Sequence, residues 1–198
     1  MPATTLILVR HGQTAANTGG IWHGATDTPL SDHGHEQARR VARGIARRLR
    51  PAAIYASDLQ RAHHTAQAIA RQLEMEVVLE QGLREYDLGA WEGRSYRELW
   101  DKEDLWGHMK RDPDFAPHGG ESPREVTERL VGSLHRIAEQ HRGERVVCVS
   151  HGGAISMALG HLLDGDYAQW RRLLDNCAVA ELHLDAEPTL GVFNEAWD

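Results

Sequence analysis

Four short apolar runs constrain this chain more than anything else in it: TTLILVR at 4 to 10, AAIYAS at 52 to 57, EVVLE at 76 to 80 and RVVCVS at 145 to 150. Each has the length of a strand and none alternates apolar with polar residues, so both faces of each strand must be buried. Helical patterns lie between them. Residues 32 to 49 place Ala38, Val41, Ala42, Ile45 and Leu49 on one face, and residues 59 to 73 do the same with Leu59, Ala62, Ala66, Ile69, Ala70 and Leu73. Residues 123 to 141 repeat the pattern with Val126, Leu130, Leu134, Ile137 and Ala138. Strands without a polar face, alternating with helices, predict an α/β fold: a single three-layer α/β/α domain with a mostly parallel central sheet.

The third helix carries the clearest start signal. Ser122 caps, Pro123 suits the first helical position, and Glu125 closes a capping box three residues after the serine. Residues 152 to 163 read as a further helix, and 178 to 184 with 190 to 194 as closing strands running antiparallel at the sheet edge. The stretch from about 81 to 121 differs, with Trp91, Trp100, Trp106 and Phe115 scattered among charged residues and glycines. It is expected to form a partly helical, lid-like insertion over one end of the sheet, its tryptophans acting mainly as packing anchors. A length of 198 residues suits one domain spanning 1–198.

A formal net charge of -7 opposes nucleic acid and anionic membrane surfaces. The arginines of ARRVARGIARRLR, 38 to 50, fall opposite the apolar stripe of their helix and read as a solvated face. No apolar stretch approaches 18 residues and the amino terminus lacks a basic start, so neither a spanning helix nor a secretory signal is expected, and the chain reads as cytoplasmic. Cys148 and Cys177, both in strand-like runs, are expected to be buried free thiols.

Two of the apolar runs end alike, LVRHG at 8 to 12 and CVSHGG at 148 to 153. In an open parallel sheet ligands collect beyond the carboxyl ends of strands, so neighbouring strands here would bring His11 and His151 into one crevice. Arg10 adds a permanently charged fork of donors suited to a phosphoryl group, and a neutral imidazole is able to attack phosphorus. Gly12 and Gly152 permit close backbone approach, and the helix opened by Gly152 presents free amides that favour an anion. Thirteen histidines raise the question of zinc, but His23, His63, His64, His108 and His118 show no ligand spacing with Cys or carboxylates, and Arg10 disfavours a dication beside His11. No metal and no cofactor are expected.

These residues carry a resemblance. RHGQTAANTGGIWHGATDTPLSDHGHEQA (10 to 38), SDLQRAHHTA (57 to 66), LREYDLGAWEG (83 to 93), HGGES (118 to 122) and SHGG (150 to 153) together resemble the histidine phosphatase superfamily. The likeness is to the branch of cofactor-dependent phosphoglycerate mutases and small phosphatases, and it covers nearly the whole chain. It implies that His11 is the nucleophile that becomes phosphohistidine, that Arg10, Arg61 and a protonated His151 hold the phosphoryl oxygens, and that Glu85 is the proton donor. Asn17, Gly12, Gly24, Gly152 and His118 complete the expected substrate-binding set. Glu92 falls in the structural part of the motif, and Arg84 reads as a salt-bridge partner.

The resemblance implies a metal-independent phosphomonoester hydrolase acting on a small phosphorylated metabolite. Phosphoglycerate mutases of this branch carry a Glu-Arg-His-Tyr-Gly signature around the acid, where this chain has REYDLGAW, and they are longer. Gln13 stands where the branch most often has glutamate. RDPDFAPHGGES, 111 to 122, resembles actinobacterial phosphatases that include those acting on glucosyl-3-phosphoglycerate, which implies a sugar or glycerate phosphate; there Lys110, Arg111 and His118 either meet a second anionic group or form a solvated cover. The alternatives are a phosphoglycerate mutase and a noncatalytic phosphate-binding or scaffolding protein. No nucleic-acid or membrane partner is expected, and a homodimer stays open.

Overall fold

The computed structural model describes residues 3–116, 118–168 and 172–198. The four apolar runs are strands β1 (Thr4–Arg10), β2 (Ala53–Ala56), β3 (Val77–Leu79) and β4 (Arg145–Ser150), and they pair in parallel in the order β3-β2-β4-β1. Strand β5 (Ala178–Leu184) runs antiparallel along the other side of β1, as the edge reading predicts. Beyond it the expected strand over 190 to 194 is split. Only Thr189–Leu190 (β6) and Glu195–Ala196 (β7) pair with β5, because Asn194 takes a left-handed φ of 58° that breaks an extended run.

Successive side chains of β1 explain why its sequence shows no alternation. Leu6 and Leu8 point into a core shared with α6 (Pro123–Gln140) and α7 (Gly152–Asp164), while Ile7 and Val9 point into a second core shared with α2 (Asp32–Arg48) and α3 (Gln60–Leu73). Each face of the pleat meets a layer of helices, so each position is apolar. Three layers result. On α6 the capping box forms as read, with Ser122 Oγ accepting from Glu125 N and the Glu125 carboxylate accepting from Ser122 N. On α2 the arginines Arg39, Arg40 and Arg43 lie on the solvent side and gather round Glu36.

The region from 81 to 121 holds two single 3₁₀ turns, at Gln81–Leu83 and Gly89–Trp91, and two short helices, α4 (Tyr96–Asp101) and α5 (Leu105–Arg111). Its tryptophans divide. Trp91 packs on the core beside Phe115, with ring centroids 6.1 Å apart, but Trp100 and Trp106 are 62% and 47% exposed and anchor little.

A five-residue helix, α1 (Ala15–Gly19), has no apolar periodicity to announce it; it is fixed by a reciprocal cap between Thr14 and Asn17. Both cysteines are buried and free. Cys177 is not in a strand, however. It turns the chain into β5 with a φ of 61°, its N–H donating to Arg10 O.

Candidate active site

Strands β1 and β4 are neighbours in a register that pairs Arg10 with Ser150, so His11 and His151 leave the sheet side by side. Their ring centroids are 5.1 Å apart, and the His11 N–H still donates to Ser150 O. The sheet thus delivers both histidines to one crevice. His11 is 2% exposed, and its Nδ1 lies 2.7 Å from Gly12 O. A carbonyl only accepts, so Nδ1 carries the proton and Nε2 is left as a bare lone pair. Burial, with the charges of Arg61 and then Arg10, holds the His11 pKa well below the ordinary histidine value.

Gly12 acts on its neighbour and not on a ligand. Its N–H donates to Thr65 Oγ1 and its carbonyl is taken by His11, so both backbone groups are spent inside the protein. A side chain there would drive Cβ to within 2.5 Å of Gly34 O.

Arg61 is fully buried at the start of α3. Its Nε donates to His151 Nδ1 at 3.2 Å, one terminal nitrogen donates to Thr26 O, and the other to His23 O and Gly24 O. That occupies four of its five N–H donors. It also corrects the expectation of a protonated His151: an Nδ1 that accepts from a guanidinium carries no proton, so the ring is neutral with its hydrogen on Nε2. Burial and the Arg61 charge press the same way, holding the His151 pKa well below the usual range. Gly24 is required here, since a Cβ at that position would lie 1.9 Å from Tyr86 O.

Asn17 lines the cavity, but its side chain serves the protein first. Its Oδ1 accepts from Thr14 N and Asn176 Nδ2, which fixes the amide so that Nδ2 donates to His23 Nε2 at 3.1 Å. His23 therefore carries its proton on Nδ1, and burial followed by the charges of Arg61 and Arg10 lowers its pKa to about 3. Three buried nitrogens around His11 then have no hydrogen-bond partner: Arg10 Nε, His23 Nδ1 and His151 Nε2. All three are donors. Buried donors without an acceptor are costly, and a cluster of them is complementary to an anion. Arg10 is held in place by donating from its Nη1 to Leu174 O at 2.6 Å, with Gly152 packed against its guanidinium.

Opposite lies Glu85. Its Oε1 accepts from Ala154 N at 2.7 Å and Tyr86 N at 2.9 Å, and its Oε2 from Gly153 N at 3.0 Å. The free amides at the start of α7, expected to meet a ligand anion, instead hold this carboxylate. His11, Arg10, Asn17, Gly24, Glu85 and Gly152 all line one cavity of about 180 Å³. Arg61 and His151 stand behind it.

His118 does not belong to the site. It is buried in the lid, with its Nδ1 accepting from Gly120 N and its ring 5.2 Å from that of Trp91, because the chain from 118 to 121 pairs with the backbone at 87 to 90. Glu92 accepts from the N–H groups of Ala25, Thr26 and Leu88 and ties the His23 loop to the lid, and Arg84 pairs with Asp58. Both match their structural readings. His23 and Asn176 were not singled out by the sequence as ligand-facing residues; the recurrent His-Gly pair is the one signal for His23, and it marks His33 and His118 equally. Among the described residues no group of three or more His, Cys, Asp or Glu is placed to hold a metal ion.

The fold and this cavity define an α/β protein with a donor-lined cavity at the carboxyl ends of its strands, built around a bare imidazole nitrogen. The chain belongs to the histidine phosphatase superfamily, branch 1, whose family model matches residues 6–194. It is 37% identical over 155 residues to phosphoglycerate mutase-like protein 4 of Arabidopsis thaliana, covering 76% of this chain and 67% of that protein. It is 35% identical over 196 residues to a bifunctional protein of Mycobacterium tuberculosis, covering 97% of this chain but only 54% of that longer protein. Among solved structures, mycobacterial glucosyl-3-phosphoglycerate phosphatase in complex with VO3 superposes with a TM-score of 0.86 at 31% identity, covering 96% of this chain and 98% of that one.

Proposed function

We propose that this chain is a metal-independent phosphomonoester hydrolase working through a phosphohistidine at His11. The observation that carries the reading is the 2.7 Å contact of His11 Nδ1 with Gly12 O, which leaves Nε2 unprotonated in a nest of unpartnered donors. In the first step Nε2 attacks phosphorus in line, the P–N bond forms as the ester P–O bond breaks, and Glu85 gives the leaving alkoxide its proton. In the second, water attacks phosphorus, Glu85 takes the water's proton, the P–N bond breaks and inorganic phosphate departs.

Charge on the transferring oxygens is met by Arg10 and by the N–H groups of His151 and His23, in a site where positioned donors supply most of the catalysis. Arg61 contributes its charge and, through the carbonyls of His23, Gly24 and Thr26, the shape of the loop. The kinship with a glucosyl-3-phosphoglycerate phosphatase supports hydrolysis, and the cavity favours it over mutase chemistry: Arg10 is its one lining Lys or Arg, and no second cationic cluster to retain a bisphosphorylated intermediate lines it, among the described residues. The test is rapid quenching with a phosphomonoester followed by mapping of acid-labile phosphate. Phosphate on His11, absent in His11→Asn, is the expected result; turnover in His11→Asn equal to the wild type overturns the reading.

A further inference from the structure

Outside the groups that meet the phosphate, the walls of the catalytic cavity are Trp22, Tyr96, Leu99 and Leu105, with no lysine or arginine beyond Arg10 among the described residues. The cavity does not end there. A second chamber of about 400 Å³ adjoins it and shares Trp100, Trp106, Met109 and Leu173 as common walls. Its further lining includes Met157 and Tyr167, and the Tyr167 hydroxyl is already donated to Met109 O at 2.7 Å. Lys110 is that chamber's one cation among the described residues and lines no part of the first, while Asp104 is paired with Arg111.

The two shared tryptophans are also the most conspicuous apolar groups on the surface. Their rings approach edge to face, with centroids 6.4 Å apart at 71°, yet both remain largely exposed. An exposed indole pair at the mouth of a pocket is a recognition surface for flat apolar groups. A carboxylate set next to the ester oxygen would meet no lysine or arginine beyond Arg10 among the described residues and would lose its hydration against leucine and tryptophan. A sugar would meet mostly apolar walls, its hydroxyls limited to a few groups such as the Tyr96 hydroxyl, the indole N–H groups of Trp100 and Trp106, and Lys110.

We propose that the leaving group this site accepts is a flat apolar or aromatic alcohol with no charge beside the ester oxygen, its body seated against Trp100 and Trp106 and reaching into the second chamber. The proposal rests on the phosphomonoester reading above and narrows it, away from the glycerate and sugar phosphates to which the segment over 111 to 122 points. Volume agrees: chambers of a few hundred Å³ are the size that small-molecule ligands fill.

The experiment compares naphthylmethyl phosphate, ethyl phosphate, phosphoserine and phosphoglycerate as substrates, and the non-hydrolysable naphthylmethyl and ethyl phosphonates as ligands followed by calorimetry. The expected result is a kcat/KM for naphthylmethyl phosphate roughly 100-fold above the other three, and a similar preference between the phosphonates, the order of size given by burying one bicyclic ring. Trp100→Ala and Trp106→Ala, checked for unaltered melting, should each shrink that preference about 10-fold. Equal or better turnover of phosphoserine or phosphoglycerate overturns this inference while leaving the hydrolase reading intact. Selective phosphonate binding without hydrolysis of any ester does the reverse, because it preserves the ligand class and removes the activity. Sedimentation showing a dimer that Trp100→Ala dissociates also overturns the inference, since a second copy of the chain would then be what covers the indoles.

Discussion

Arg61 Nε donates to His151 Nδ1 across 3.2 Å inside the protein, and this one contact decides the protonation of the second histidine. The guanidinium does not give up a proton under these conditions, so His151 is neutral and carries its N–H on the buried, unpartnered Nε2. The expected outcome in nitrogen NMR is a single Nε2-protonated tautomer for His151 from pH 8 to about pH 5, the range over which a free imidazole titrates. An imidazolium signal appearing near pH 6.5 would contradict the arrangement.

The same arginine is a structural member. Arg61→Ala would leave His151 Nδ1 and the carbonyls of His23, Gly24 and Thr26 without their donor, in surroundings that water reaches poorly. A loss of on the order of 3 kcal/mol in denaturant unfolding is expected, alongside the loss of activity. Arg61→Lys should recover little of either, because a point ammonium with three donors cannot span four acceptors. Wild-type stability in Arg61→Ala would show that the loop finds other partners.

Acid should affect activity and stability in different ways. His11 is held well below the ordinary histidine pKa of 6.5, so the unprotonated nucleophile persists into acid and the falling limb of kcat/KM should lie below that value. Stability has the opposite exposure. His11, His23 and His151 all have depressed folded-state pKa values, so their contribution is complete above about pH 6.5, where the unfolded chain is also neutral, and is lost as pH falls toward the folded values, about 3 for His23. Each histidine removes roughly 1.4 kcal/mol per pH unit across that window. Unfolding free energies measured at pH 7.5, 6 and 5 should fall progressively, and His23→Gln should flatten the slope by about one proton. A flat profile would mean these rings are hydrated and charged.

Metal removal should do nothing. The positive groups around His11 are side chains whose charge needs no ion, so prolonged EDTA treatment is expected to leave phosphate release unchanged. Loss of activity restored by zinc or magnesium would require a different mechanism.

Much of this was legible in the sequence because the central strands are buried on both faces; the expectation fails only for β3, an edge strand whose Val78 and Leu79 are about half exposed. Continuous apolar runs mark β1 and β4, and the abrupt change to Arg10-His11 and Ser150-His151 marks where each strand ends at the buried polar site. What stayed hidden depends on direction and not on position. Whether Arg61 points its donors at a phosphate or at three carbonyls and a ring nitrogen is a property of the loop over 23 to 26, which has no periodicity. His118 was misplaced for a related reason: its motif is genuine, but backbone pairing between Asp87 and Glu121 turns the ring into the lid. Asn176 precedes β5 in a stretch with no pattern at all, yet its amide donates to His11 O.

The role of Glu85 can be separated from simple positioning. Its carboxylate accepts three amide hydrogens, from Tyr86, Gly153 and Ala154, so Glu85→Gln both removes the transferable proton and turns an NH₂ group toward an N–H donor. The second effect disturbs geometry for every substrate alike, whereas the first matters only where the leaving group needs a proton. An alkyl phosphate leaves as a strongly basic alkoxide, and its cleavage should slow by roughly 10²- to 10⁴-fold beyond any common loss. With p-nitrophenyl phosphate the leaving anion is stable unprotonated, so the burst of p-nitrophenol that reports phosphorylation of His11 should fall far less. The burst has to be resolved from later turnover, because Glu85 also takes the proton of the attacking water. Equal losses in the burst and in alkyl phosphate cleavage would reduce Glu85 to a brace for the start of α7, and Asp87, whose Oδ1 accepts from Gly89 N, would be the next carboxylate to test.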